Sequence, residues 1–160
     1  MKPWQWYGKV IRQYADFSGR ARRQEYWYFA LANFIIGFVL GIIDAAISGP
    51  PTPGHHIGFL GTIYNLLVFL PSLGVSIRRL HDTNRSGWWL LINLAPALLM
   101  FGALIAGAGL AIYGLIVLLW IGCCITLIVF LASDGDAGDN RFGPDPKQLP
   151  DGVVPPDPRP

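Results

Sequence analysis

Residues Trp88–Ala132 read WWLLINLAPALLMFGALIAGAGLAIYGLIVLLWIGCCITLIVFLA, 45 positions without a charged side chain. As one α-helix this segment would measure about 68 Å at about 1.5 Å per residue, more than twice a hydrocarbon core of roughly 30 Å. It must fold back on itself. The glycines at 102, 107, 109 and 114, in FGALIAGAGLAIYG, mark the reversal, because glycine accepts the backbone angles of a tight turn. Spans at about 88–106 and 110–132 follow, and the chain then crosses a membrane four times rather than three.

Two further apolar runs lie upstream. Trp27 to Ile47, WYFALANFIIGFVLGIIDAAI, carries a single charge, Asp44, near its far end, and Ile57 to Ile77, IGFLGTIYNLLVFLPSLGVSI, carries none. The 160-residue chain is 52% hydrophobic and 14% charged with a mean hydropathy of +0.42, a balance that argues against a soluble domain. The expected fold is all-α: a polytopic membrane protein with four transmembrane helices, about 27–47, 57–77, 88–106 and 110–132. Residues 1–26 precede the helices as an interfacial segment, and 133–160 follow as a loop motif with a flexible, Pro-rich tail.

Charge gives the orientation. Lys and Arg beside span ends resist translocation and are drawn to anionic lipid, so they mark the cytoplasmic side. With four spans, the first segment, the 78–87 link and the tail share one side, and all twelve Lys and Arg residues fall there. Both termini are expected in the cytoplasm of a bacterial inner membrane. Only SGPPTPGHH and the glycine-rich reversal are left outside, and neither carries a basic residue. No signal peptide is expected, since the first apolar run is too long and follows a charged, aromatic segment.

Before the first span, Tyr7, Val10, Ile11, Tyr14 and Phe17 recur at helical spacing, with Lys9, Arg12, Gln13 and Asp16 elsewhere on the wheel. That pattern fits an amphipathic helix lying at the cytoplasmic interface, or a short helix packed on the other loops. From Asp145 onward Pro is frequent and large apolar residues are few, so little surface is available to offset ordering entropy.

Three charged motifs separate the apolar runs: GRARRQEYW (Gly19–Trp27), RRLHDTNRSGWW (Arg78–Trp89) and DGDAGDNRFGPDP (Asp134–Pro146). In this order the chain resembles, over about residues 4–146, the small bacterial inner-membrane proteins catalogued as domain of unknown function 805. The family's DGTPGENRYGP-like segment reads here as DGDAGDNRFGP. The resemblance implies a multi-span inner-membrane protein and supplies no activity.

On the inferred topology the three motifs meet at one end of the helices. Arg22, Arg23, Glu25, Arg78, Arg79, His81, Asp82, Arg85, Asp134, Asn140 and Arg141 are then candidates for a basic, aromatic-rimmed site that binds a lipid phosphate, with Asp82, Glu25 and Asp134 orienting the arginines. The plainer reading makes the arginines topology anchors, places Trp27, Trp88 and Trp89 in the interfacial aromatic belt, and has Arg–carboxylate pairs tie loops together. Turn chemistry alone explains part of the link: Asp82 or Thr83 bonding nearby amides, Asn84 left-handed, Ser86 capping the third span.

Other chemistries fit less well. His81 beside Asp82 suggests a proton relay, but adjacent residues seldom orient one another and no nucleophile accompanies them, so no enzymatic role is expected. Asp134, Asp136 and Asp145 take the first, third and twelfth places of a calcium loop, whereas Gly138 and Asp139 replace a ligand and the turn glycine, and the terminal glutamate is missing. His55 and His56 lack a metal-binding partner nearby, and Cys123 and Cys124 read as small apolar residues. No metal or cofactor is expected. A net charge of +2, already explained by orientation, disfavours nucleic acid as a partner.

Within the membrane, Asn33, Gly37, Gly41 and Ala45 share a face of the first span and form a helix-packing surface. Asn33 and Asn93 lie at similar depth and are expected to pair, while Pro71 and Pro96 free the carbonyls of Leu67 and Ile92 and kink their helices. A transporter or channel would combine Asp44, Asn65 and these broken helices, acting as an oligomer because no ionisable residue lies near the midplane. The favoured expectation is instead a binding or scaffolding protein whose cap holds anionic phospholipid, a membrane-protein partner or a second copy of itself.

Overall fold

The computed structural model describes residues 2–48 and 58–148. The outer turn with His55 and His56, and the tail from residue 149, lie outside the described residues. Five α-helices and one 3-10 helix follow in the order α1 (Pro3–Arg12), α2 (Arg23–Ser48), α3 (Phe59–Asp82), the 3-10 helix (Gly87–Asn93), α4 (Leu94–Ile105) and α5 (Leu110–Ala132). Four helical segments, 23–47, 59–82, 87–105 and 110–132, are long and apolar enough to cross a membrane. An isolated bridge between Asn140 and Gly143 is the only β-type pairing among the described residues.

Both expected reversals form by the same backbone device. After α4, Gly107 is left-handed (φ 63°), and Ala108 and Gly107 donate to the carbonyls of Ala103 and Leu104. After α3, Asn84 is left-handed (φ 54°), and Arg85 and Asn84 donate to Leu80 and His81. This paired closure satisfies carbonyls that a helix end would otherwise leave open. Ser86 then accepts from the Trp88 amide at 3.4 Å, so it caps the third span as expected.

That span is composite. Seven residues of 3-10 helix at about 2.0 Å each and twelve of α-helix at about 1.5 Å reach roughly 32 Å, so 19 residues suffice to cross. The change of pitch falls just before Pro96, whose nitrogen has no hydrogen to continue the ladder.

The second span differs from expectation at its end. Helix α3 does not stop at Ile77 but continues through Asp82, so Arg78 to Asp82 of the charged link are helical. At about 36 Å it exceeds the hydrocarbon thickness, and its last turns project into a cap of loops. There Val10, Ala21, Phe29 and Val75 form a buried apolar cluster, flanked by Tyr7, Ile11 and Tyr26. Helix α1 ends at Arg12, so the continuous helical stripe to Phe17 does not form. Residues 13–22 instead run back across α3. The Asp16 carbonyl oxygen comes within 3.0 Å of where a Cβ on Gly74 would lie, so a side chain there would crowd the 13–22 segment.

The intramembrane polar groups find partners other than those expected. Asn33 does not pair with Asn93: it accepts from Tyr64 at 2.5 Å and donates to Phe29 at 2.9 Å, whereas Asn93 accepts from the Cys124 thiol at 3.6 Å. The reason is lateral arrangement, since α2 packs on α1 and α3 while α4 packs on α5. Equal depth does not bring two helices together. The Leu67 carbonyl freed by Pro71 is taken by the Tyr14 hydroxyl at 2.8 Å. On the face carrying Gly37 and Gly41, no packing atom among the described residues lies within 4 Å of a Cβ position, and Ala45 is exposed.

Candidate functional site

The three charged motifs do converge, and they sort into a buried clamp and an accessible rim. Asp82, 2% exposed, anchors the clamp. Its Oδ1 accepts from Arg20 Nε at 3.0 Å, and its Oδ2 accepts from Arg79 Nη1. Arg79 donates further to the carbonyls of Leu131 (2.9 Å) and Ser133, so it clips the end of α5 to α3. Arg20 donates to the carbonyls of Asp136 and Gly138, both at 2.6 Å, and so fixes the third motif. Gly135 lies so close that a Cβ there would come within 2.0 Å of the Asp82 carboxylate.

A second buried carboxylate, Glu25, takes Lys9 at 2.6 Å and Arg78 at 3.6 Å. Arg78 also donates to the Asp16 carbonyl at 3.1 Å, while its Nε and Nη2 and Gln13 Oε1 are buried without a hydrogen-bond partner among the described residues. Arg78 and Arg79 are 2% and 0% exposed. Burying charges is tolerable only where opposite charges and carbonyls replace water, and both motifs supply these. Arg78, Arg79, Glu25 and Asp82 are therefore interior ties and present no surface to a ligand.

His81 and Asp82 diverge. The imidazole Nδ1 donates to the Gly19 carbonyl at 3.1 Å and the ring stacks on Phe142 at 3.8 Å, while Asp82 faces its arginines. Asn140 donates to the His81 carbonyl at 2.9 Å and is likewise a tie. The calcium-loop carboxylates separate too. Asp134 points to Arg23 at 2.7 Å, whereas Asp145 accepts from the Lys147 amide (2.9 Å) and the Gly138 amide (3.2 Å) of its own loop. The Arg23 hydrogen bond and charge hold the Asp134 carboxyl below the ordinary carboxylate range. For Asp145 burial works the other way, but the two backbone N–H donors and the charges of Arg20 and Lys147 together outweigh it and the group is also held low.

The rim consists of Arg22, Arg23, Arg85, Arg141 and Lys147. Arg22 donates to the Pro146 carbonyl, Arg85 lies over the Phe130 ring at 4.0 Å, and Arg141 donates to the Asn84 carbonyl at 3.0 Å. Beside them a groove of about 760 Å³ is lined by Arg22, Arg23, Gln24, Trp27, Tyr28, Leu31 and Lys147. Its basic end lies at the cap and its apolar wall runs down the first turns of α2. Asp44, invoked above for a transport path, is buried and accepts from the amides of Leu60 (3.1 Å) and Gly61 (2.8 Å) at the start of α3.

Arg20, Lys9, Asp16 and Lys147 join the site although the sequence alone did not single them out. Arg20 had a signal, being the first of three arginines in GRARR. Lys9 had none, because its partner Glu25 is 16 residues away on another helix.

Comparison with known proteins agrees with this architecture. The profile of a family described as protein of unknown function (DUF805) matches residues 14–144. The inner membrane protein YhaH of Escherichia coli (strain K12) is 45% identical over 145 residues, covering 91% of this chain and 98% of its own. The inner membrane protein YhaI of the same strain is 39% identical over 143 residues, covering 89% and 96%. No solved structure matches the chain. With four membrane-length apolar helices, three charged motifs joined into one cap and inner membrane proteins as relatives that match along almost their whole length, the chain belongs to the DUF805 family.

Proposed function

We propose that this protein is a non-enzymatic binding protein whose cap faces the cytoplasm and holds anionic phospholipid at the membrane surface. The observation that supports this reading is the division among the cations. Arg20, Arg78 and Arg79 are buried inside the cap, whereas Arg22 and Arg85 are half-buried at its edge and Arg23, Arg141 and Lys147 are exposed, the rim lying close in sequence to exposed Trp27 (43%), Trp88 (78%) and Trp89 (42%). Tryptophans of this kind settle at head-group level, and cations beside them meet lipid phosphates. The buried set joins the motifs, and the exposed guanidinium and ammonium groups of Arg23, Arg141 and Lys147 put positive charge on the outer surface of the cap.

Ligand that binds only the folded protein raises its stability by mass action. Purified protein in a neutral detergent should melt at progressively higher temperature as phosphatidylglycerol is added, with a smaller shift for phosphatidylcholine and a shrinking difference at high salt. Equal shifts with both lipids would remove the support for this reading.

A further inference from the structure

Resting on that reading, we infer that the groove at the start of α2 is a site for one anionic glycerophospholipid, and that Asp134 occupies the phosphate position until lipid displaces it. Arg23, Trp27 and Leu31 follow one another at i, i+4 down α2, and Gln24 and Tyr28 form the parallel lane. The lanes place a guanidinium at the cap, aromatic rings about 6 Å deeper and an aliphatic side chain about 12 Å deeper, at about 1.5 Å per residue. Lys147, directly after the third motif, closes the upper end. A phospholipid has the same order along its length: phosphate, glycerol ester, acyl chain. The wall continues into exposed Ile35, where an acyl chain would meet the hydrocarbon core.

Asp134 supplies the argument for displacement. Its side chain is 77% exposed, and among the described residues its one ion pair is with Arg23, itself 47% exposed, at 2.7 Å. The pair ties no buried element, unlike those of Asp82 and Glu25. It holds the guanidinium at the mouth of the groove with an anion in place. An ion pair this exposed contributes little to folding, so a phosphate that also reaches Lys147 and buries its chain along Trp27 and Leu31 replaces it readily.

The two roles predict opposite signs. Removing a carboxylate that only braced the cap would weaken the site, whereas removing one that competes with phosphate strengthens it. Full-length protein would be studied by native mass spectrometry with dioleoyl-phosphatidylglycerol, dioleoyl-phosphatidylcholine and glycerol 1-phosphate as probes. The expected result is one phosphatidylglycerol retained by wild type, a loss of roughly twenty-fivefold in its affinity in Arg23→Gln/Lys147→Gln, at roughly fivefold per cation, and a gain of several-fold in Asp134→Asn. All three positions are exposed, and unchanged melting in lipid-free detergent confirms that each variant folds.

Wild type that retains phosphatidylglycerol while both variants match it would place the lipid elsewhere on the cap and overturn this inference alone. Weaker retention by Asp134→Asn would overturn displacement. Glycerol 1-phosphate binding as tightly as the lipid would identify a soluble phosphate ligand and overturn the lipid assignment. Equal retention of phosphatidylglycerol and phosphatidylcholine by wild type would defeat the broader reading as well.

Discussion

Asp82 is the side chain on which the cap depends. It sits at the end of α3 and neutralises Arg20 from the first motif and Arg79 from the second, and its own carbonyl accepts from the Asp136 amide of the third at 2.8 Å. Asp82→Ala leaves two buried guanidinium groups without their carboxylate, a change expected to destabilise the fold by about 3–5 kcal/mol. Detergent unfolding followed by tryptophan fluorescence would register it, and a loss below about 1 kcal/mol would contradict the clamp. Asp134→Asn, although it also breaks an Arg–Asp pair, should leave melting unchanged because that pair is exposed to water. Both residues stand in the sequence as acids of a charged motif, and the partners that distinguish them, Arg20 and Arg23, lie 62 and 111 positions away.

Helices α2 and α3 are coupled at the end opposite the cap by Asp44. It takes two of the amides that the first turn of α3 would leave open, the role usually filled by the residue at the helix's own N-cap. Gly58 occupies that N-cap and has no side chain to offer, and a Cβ there would collide with Asp44 at 2.2 Å. Asp44→Ala is expected to lower stability by about 1 kcal/mol, and an unchanged unfolding midpoint would show that the first turn is satisfied otherwise.

The 134–146 motif is held by its own turns as well as by Arg20, and Asp145 makes its stability depend on pH. The folded-state value of Asp145 lies below the ordinary value of 3.8. Its contribution is therefore fully present above the unfolded value and is lost as pH falls through the lower folded one. Amide-exchange protection over 134–147 should persist down to about pH 4 and fall only below the ordinary carboxylate range. Loss of protection already between pH 5 and 6 would mean that another group holds the motif.

Taken together, the spans are unevenly joined: α3 touches α1, α2, the 3-10 helix and α5, and so is the main link between the α1–α2 and α4–α5 pairs. On the topology we propose, four crossings put the cap and both flanking segments on one side, and the twelve cations favour the cytoplasm for it. Reporters that are active only in the cytoplasm should work when fused before α1 and after the 134–146 motif. Activity at one position and not the other would leave an odd number of crossings.

The four spans, the Gly107 reversal, the left-handed Asn84 and the Ser86 cap were legible in the residues themselves. Apolar length, glycine placement and short polar side chains act within a few positions of the chain, so local sequence carries them. The partnership of Asp82 with Arg20, of Glu25 with Lys9 and of Asn33 with Tyr64 was not, because each joins residues from 16 to 62 positions apart. Motif order placed the arginines at one end of the bundle. Packing of α1, the 13–22 segment and the third motif around the last turns of α3 then decided which are buried, since only that enclosure replaces water around Arg78 and Arg79 and leaves Arg22 and Arg23 at the groove.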